Sequence, residues 1–356
     1  MRHWPSIAWG TFISWMAAGS AQAFTYEVLF DRTLAYDAVT LGRGARFDAS
    51  AQSVLLDGRV KTAGTEAVTY DRLLINSLRV GQQFALSPNA SARLTLPVVG
   101  TFEKQEGEQI PRKISEATWL EAKPRMEFIF ATQNSLDLIL GLNFYTISAY
   151  DVESKTENFK AKDHFGALNL SYPHLVVVKR GGRFDGGFSF QLDAERGRTV
   201  SKSTTLDESR LSFEDKVYSP TTIAIFTSLH QSFGDLYGEF AAIEASSGGN
   251  RIDNNIAIKE DYFRVQLGGM FPLLGKNLQL ESNFLYKSLS YADNRNVTLD
   301  TIPSMALHLK LHVDYGIPLF AGIVGVRGTD GQSLQEFNAD YRIIGFGGVA
   351  GVSLIL

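Results

Sequence analysis

The stretch T-W-L-E-A-K-P-R-M-E-F-I-F-A at positions 118–131 decides the fold. From position 120 its even-numbered residues are apolar, whereas its odd-numbered residues up to position 127 are charged. Successive side chains of a β-strand point to opposite faces, so this pattern predicts a strand with one apolar and one charged face. A helix would scatter the charges around its circumference and leave no apolar stripe. The charged residues are Glu121, Lys123, Arg125 and Glu127.

A second arm with the same alternation follows directly. It carries leucine at positions 136, 138, 140 and 142, and Thr132–Ser135 between the two arms are residue types that favour a turn. Each arm of about 14 residues is long enough to cross a bilayer when the strand is tilted. Because the pattern recurs down the chain, it predicts an all-β protein, a transmembrane antiparallel up-and-down β-barrel.

The start of the chain predicts export. Arg2 and His3 form a short basic front, residues 7–18 are mostly apolar, and Ala21-Gln22-Ala23 has the small-x-small pattern of a cleavage site. We therefore expect residues 1–23 to be a signal peptide that is removed, with the mature chain beginning at Phe24. An uncleaved N-terminal anchor is the alternative, but the apolar segment is short for a spanning helix.

Composition narrows the class of protein. Loss of Arg2 changes the formal charge from 34 − 38 = −4 to 33 − 38 = −5, and a mildly acidic chain lacks the basic footprint of a nucleic-acid binder. Aromatic residues make up 12% of the chain and glycines number 32, which suits a barrel with aromatic girdles and tight turns. The chain contains no cysteine, which excludes thiolate catalysis and zinc–thiolate sites.

The order of strands predicts their number. Residues 24–50 are an N-terminal segment, interpreted as a plug in the periplasm or the lumen or as the first strand or strands, and residues 51–356 are the barrel. From Asp71 onward we count thirteen strands. Since both ends of the chain are expected in the periplasm, an odd number of strands must precede these thirteen, and one makes 14 whereas three make 16. We favour 14, because residues 24–50 lack a long clean strand. Short turns are expected at the periplasmic end and long polar loops outside, the longest being Glu195–Lys216.

The last stretch carries a resemblance. Positions 342–356 read R-I-I-G-F-G-G-V-A-G-V-S-L-I-L, with apolar residues at alternate positions up to Leu356. This resembles Gram-negative outer-membrane barrels, whose final amphipathic strand is read by the barrel-assembly machinery, although Leu356 replaces the usual terminal aromatic. The resemblance implies a place in the cell outer membrane, with lipid, lipopolysaccharide and that machinery as partners. It identifies a superfamily and no substrate.

Charged and polar residues on the inward parity are the candidate site. One interpretation is a wet pore, whose opposed charges set a transverse field that tunes the passage of small solutes. The other is an internal salt-bridge network that stiffens the wall. The predicted pore-lining residues are Arg79, Arg93, Glu121, Lys123, Arg125, Glu127, Asp185, Asp193, Arg264, His308, Lys310 and His312.

Three functions follow from these patterns. The first is a channel for passive diffusion of small solutes, because a barrel of this size leaves a lumen. The second is a transporter of fatty acids or aromatic compounds with an N-terminal plug, a class that the chain resembles only in strand number and in that possible plug. The third is an adhesin or structural barrel. Apolar anchors for a plug would be Phe24, Tyr26, Phe30, Leu34 and Tyr36.

We predict no enzyme, cofactor or metal. His308 and His312 would be about 13 Å apart on a strand, too far to chelate one ion. Asp293–Asn296 lacks the glycine and the distal glutamate of a calcium loop. Neither a Gly-x-Ser-x-Gly elbow nor a His-Glu-x-x-His motif is present. The oligomeric state stays open.

Overall fold

A computed structural model describes the chain over thirteen ranges. They are residues 33–40, 44–62, 68–107, 114–132, 134–154, 159–163, 170–192, 195–205, 208–247, 259–275, 277–292, 298–332 and 339–355. The predicted signal peptide and the anchors Phe24, Tyr26 and Phe30 lie outside the described residues, as does Asp193. Within the described ranges, none of the helical structure is long and apolar enough to span a membrane.

In the part of the chain that the structure describes, one short helix precedes 17 strand segments. The helix is α1 (Leu34–Thr40). The strand segments are β1 (Arg46–Thr62), β2 (Val68–Ser87), β3 (Ala90–Gly107), β4 (Ile114–Ala122), β5 (Arg125–Ala131), β6 (Leu136–Ser154), β7 (Phe159–Asp163), β8 (Leu170–Lys179), β9 (Phe184–Leu192), β10 (Glu195–Thr205), β11 (Glu208–Gln231), β12 (Gly234–Ser247), β13 (Lys259–Pro272), β14 (Leu278–Ala292), β15 (Thr298–Asp314), β16 (Pro318–Gln332) and β17 (Ala339–Ile355).

The segments form one closed antiparallel barrel of 14 strands. β1 pairs with β2 on one side and with β17 on the other, which closes the sheet. Three pairs of consecutive segments each act as one strand, because both members pair with the same neighbour: β4 and β5 with β6, β7 and β8 with β6, and β9 and β10 with β11. The count is therefore 17 − 3 = 14, which confirms the favoured prediction over 16.

The break between β4 and β5 is caused by proline. Val98 pairs with Ala122 and Thr95 with Arg125, so the register is unchanged across the break. Pro124 has no N–H to donate, and the ladder loses a bond there. The flanking bonds remain, since the Lys123 N–H donates to the Pro97 carbonyl at 3.1 Å. The proline interrupts a ladder and leaves the strand in place.

The two faces of the strands follow the predicted parity in this region. Phe128, Phe130 and Leu140 are exposed on the outer surface, whereas Glu127 and Ile129, which alternate with the two phenylalanines on β5, are buried. A two-residue period requires this, because neighbouring side chains on a strand lie on opposite faces. The outer face carries the apolar residues expected of a wall in contact with lipid.

One predicted loop is strand in the structure. β1 begins at Arg46, inside the segment 24–50 that was interpreted as a plug or as the first strand or strands. The expected loop Glu195–Lys216 is largely strand, because β10 and β11 pair from Glu195 with Tyr218 to Thr205 with Glu208. Polar side chains do not prevent this, since the backbone bonds of an antiparallel ladder do not require an apolar face.

Replacing Phe128 with arginine tests which face of β5 meets lipid. A charge in the hydrocarbon near the midplane costs roughly 2–4 kcal/mol. The variant is therefore expected to fold in lipid vesicles with a free energy of unfolding lower by about that amount, as measured by urea titration. Phe128→Leu is the matched control, and equal stability of the two variants would mean that the face is reversed.

Candidate functional site

The helix α1 lies inside the barrel. Leu34, Ala35, Tyr36 and Ala38 are all buried, and α1 contacts the inner surfaces of β8, β9 and β11. A seven-residue helix is far too short to be stable in water, so the wall must stabilise it. Its apolar partners are inward-facing residues of β5, β6, β8, β11 and β12: Ile129, Ile139, Val176, Val178, Phe226 and Tyr237.

The start of α1 is tied to the wall by its capping residue. The Thr33 hydroxyl accepts a hydrogen bond from the Tyr36 N–H at 3.1 Å, which satisfies one of the free N–H groups at a helix start. The same hydroxyl donates to the carboxylate of Glu239 on β12. Thr33 therefore both caps the helix and joins it to the barrel.

The end of α1 is held by an arginine from a turn. Arg180 donates to the carbonyl oxygens of Ala38 at 2.6 Å and Val39 at 3.1 Å. A cation is favourable here because the last carbonyls of a helix are unpaired and carry partial negative charge. Arg180 is itself positioned by the carboxylates of Asp137 at 2.8 Å and Asp185 at 3.0 Å.

The middle of α1 is anchored by a buried carboxylate. Asp37 is 1% exposed and accepts hydrogen bonds from Arg79 at 3.0 Å and from Arg125. Charge-assisted bonds of this kind are roughly twice as strong as neutral ones. Arg79 also pairs with Asp48, so the helix and three strands, β1, β2 and β5, share one network.

A second anchor uses the tyrosine of α1. The Tyr36 hydroxyl donates to Glu281 at 2.8 Å, and its ring meets Tyr237 edge-on with centroids 5.0 Å apart. Glu281 also binds Lys310 at 3.3 Å and lies 2.6 Å from Nε2 of His312. The polar and aromatic contacts together fix the orientation of α1 in the barrel.

The network continues into the wall around Glu127. Its carboxylate is fully buried and lies 2.6 Å from Arg93, 3.1 Å from Nε2 of His174 and 3.5 Å from Arg125. A charge so deeply buried is tolerated only when its partners satisfy it. Gly141 opposite His174 leaves room for that ring, since a Cβ at this position would collide with it.

Most of the predicted pore-lining residues that the structure describes take part in charged contacts. Arg264 pairs with Glu239 at 2.6 Å, and the other pairs are those given above. His308 is buried on β15, Lys123 is half-buried, and the side chain of Glu121 lies outside the described residues. These contacts are the ones expected if the inward charges form an internal salt-bridge network. The pore-lining role of these residues stays a prediction.

Several site residues were missed in the sequence. Glu239 and Glu281 lie on the inward parity of their strands, so alternation alone is enough to find them. Asp37 and Arg180 lie in a helix and in a turn, where no two-residue period exists to indicate facing. Their role depends on which strands surround them.

One part of the inner surface is apolar, which the sequence analysis did not predict. Ile323 and Leu55 are exposed on the outside, and the residues that follow them, Val324 and Leu56, are buried inside. This explains why β16 is apolar on both parities. We call this surface the inner apolar wall; its seven members, 0–4% exposed, are Val54, Leu56, Leu73, Ile75, Val99, Val324 and Val326.

Comparison with known proteins shows the fold and no closer relationship. No protein-family model matches the chain, and no curated protein matches its sequence. The Pseudomonas putida toluene transporter TodX is 9% identical, with 93% of this chain and 94% of that chain covered and a TM-score of 0.56. A deltaS2S3 mutant of TodX, a monoaromatic hydrocarbon channel, is 8% identical, with coverage of 88% and 91% and a TM-score of 0.58. The fold is that of the outer-membrane β-barrels.

Proposed function

We propose that this protein is an outer-membrane transporter for small apolar compounds, plugged by α1. The observation that carries the proposal is the position of α1, which is buried inside the barrel and fastened along its length by Thr33, Asp37 and Arg180. An open diffusion channel needs a continuous water path. At the level of α1, helix and paired charges occupy the described interior.

The substrate class follows from the inner apolar wall. Its side chains are 0–4% exposed in this structure, so a solute would meet them only when α1 leaves its position. Apolar side chains on such a path suit a solute without charge or many polar groups. A hydrocarbon channel and a toluene transporter among proteins of similar fold agree with this class. Their 8–9% identity leaves the substrate of this chain as a proposal.

The location belongs to the same proposal. Export with removal of residues 1–23, recognition of β17 by the barrel-assembly machinery, and contact with lipid and lipopolysaccharide are what the resemblance of positions 342–356 implies. Movement of a solute through such a barrel requires no catalytic residue, cofactor or metal. The exposed apolar outer wall, including Phe128 and Leu140, supports a bilayer environment.

Two measurements on the refolded protein separate the candidate functions. We expect no steady current in a planar bilayer, together with uptake of an aromatic hydrocarbon into liposomes that contain the protein. Steady ohmic steps without selective hydrocarbon uptake would instead favour the passive-diffusion channel. Empty liposomes measure the background leak of the hydrocarbon through lipid.

Replacing Ile75 with asparagine tests the inner apolar wall. An amide left without partners against an apolar solute costs about 1–3 kcal/mol, so we expect uptake of the hydrocarbon to fall roughly tenfold. Ile75→Val, which keeps the surface apolar, is the matched control and should retain uptake. Unchanged uptake by a folded Ile75→Asn barrel would mean that the solute does not pass along this wall.

A further inference from the structure

The turns at one end of the barrel divide into two halves of different character. The first three turns have polar, glycine or proline tips in the residues that the structure describes: 88–89, 132, 134–135 and 180–183. Apolar side chains adjoin these turns only on the strands that lead to them, among them Leu86, 60% exposed, and Phe184, 51% exposed. We call these three turns the polar half-rim.

The next three turns and the end of β17 are apolar at their tips. Since β11 to β17 are consecutive in the sheet, these tips lie side by side along half of the barrel end. We call this surface the apolar half-rim; its members and exposed fractions are Phe233 58%, Leu273 51%, Leu274 75%, Tyr315 81%, Ile317 60% and Ile355 81%.

On β16 the apolar half-rim continues the outer wall without a polar break. Ile317 is followed on β16 by outward-facing Leu319 and then Ile323, all three exposed. Elsewhere on a soluble surface, so many large apolar side chains together mark an interaction site. A tyrosine at the tip suits a bilayer interface, because its ring is apolar and its hydroxyl is polar.

We propose that the apolar half-rim is inserted into the lipid interface, so that the barrel is seated more deeply on the β11–β17 side. The partner is the bilayer itself, and the inference rests on the proposed membrane location. The polar half-rim then projects into water. That half carries Arg180, so the residue that holds the end of α1 lies on the half of the barrel end that faces water.

Single cysteines allow a direct test, because the chain has no cysteine of its own. Leu274→Cys, Asn89→Cys and Phe128→Cys are labelled with one environment-sensitive fluorophore. The proteins are placed in phosphatidylethanolamine–phosphatidylglycerol vesicles, with iodide on both sides or with a quencher on the upper acyl chain. Positions 274 and 89 lie at the same barrel end, so protein orientation does not affect their comparison. Tyr315→Cys is a second probe of the apolar half-rim.

We expect the lipid quencher to reduce the signal at position 274 at least twofold more than at position 89. Iodide should show the reverse order. Equal lipid quenching at the two turns overturns the proposal. Shielding of position 274 from iodide without lipid quenching, with energy transfer between labelled copies, would mean that a second copy covers the rim, which also overturns it.

The label at position 128 separates failure of the half-rim insertion from failure of the membrane location. If its label is quenched by lipid and that at 274 is not, the barrel is in the membrane and only the apolar half-rim is wrongly assigned. If the label at position 128 also escapes lipid quenching, the membrane location itself fails.

Discussion

Replacing Asp37 with alanine is expected to produce current steps in a planar bilayer where the unaltered protein shows none. The substitution removes the carboxylate that Arg79 and Arg125 share and leaves α1 without its central ionic anchor, although Arg79 keeps Asp48 and Arg125 keeps Glu127 nearby. Removing one partner of a buried ion pair typically costs 3–5 kcal/mol, which corresponds to a shift of roughly 10²–10⁴-fold from the bound toward the displaced position of the helix. Current recorded at fixed voltage checks this outcome.

The control for this result is Asp57→Ala. Asp57 also pairs with an arginine, Arg72 at 3.3 Å, but both side chains are about two-thirds exposed on the outer face. Exposed pairs contribute about 0–1 kcal/mol, so this variant should stay closed. A closed, folded Asp37→Ala barrel would show that α1 stays in place without that carboxylate. Steps in both variants would indicate a general loss of barrel integrity.

Replacing Glu127 with alanine is expected to destabilise the barrel strongly. Arg93 and His174 would lose their carboxylate partner inside the wall, and Arg93 is itself almost fully buried. The free energy of unfolding should fall by about 3–5 kcal/mol. Urea titration in lipid vesicles measures it, with the fluorescence of Trp119, the only tryptophan after residue 23, as the signal.

A double variant separates loss of the charge pair from loss of packing. In Arg93→Met with Glu127→Leu, both partners are replaced by apolar groups, so no lone charge remains between those two positions. We expect this protein to be more stable than Glu127→Ala, because a pair replaced by apolar residues costs less than a pair broken on one side. A loss below about 1 kcal/mol in Glu127→Ala would contradict the buried-pair assignment.

The sequence was sufficient for the barrel itself. The alternation in positions 118–131 and the short turn after it are local signals, and they predict both the strand and its outer face. The strand count needed only those signals plus the requirement that both ends of the chain meet at one side of the membrane. Inward-facing Arg79, Arg93 and Glu127 were found in the same way, because facing follows from a period of two residues.

Only the tertiary structure decided what those inward charges contact. Asp37 meets Arg79 and Arg125, which are 42 and 88 positions away in the chain, because the closed barrel brings their strands around α1. A local period carries no information about which side chains meet across the interior. The inner apolar wall was not predicted for a related reason. Where both faces of a strand such as β16 are apolar, the sequence shows no alternation. Only closure of the barrel then determines which residues lie inside.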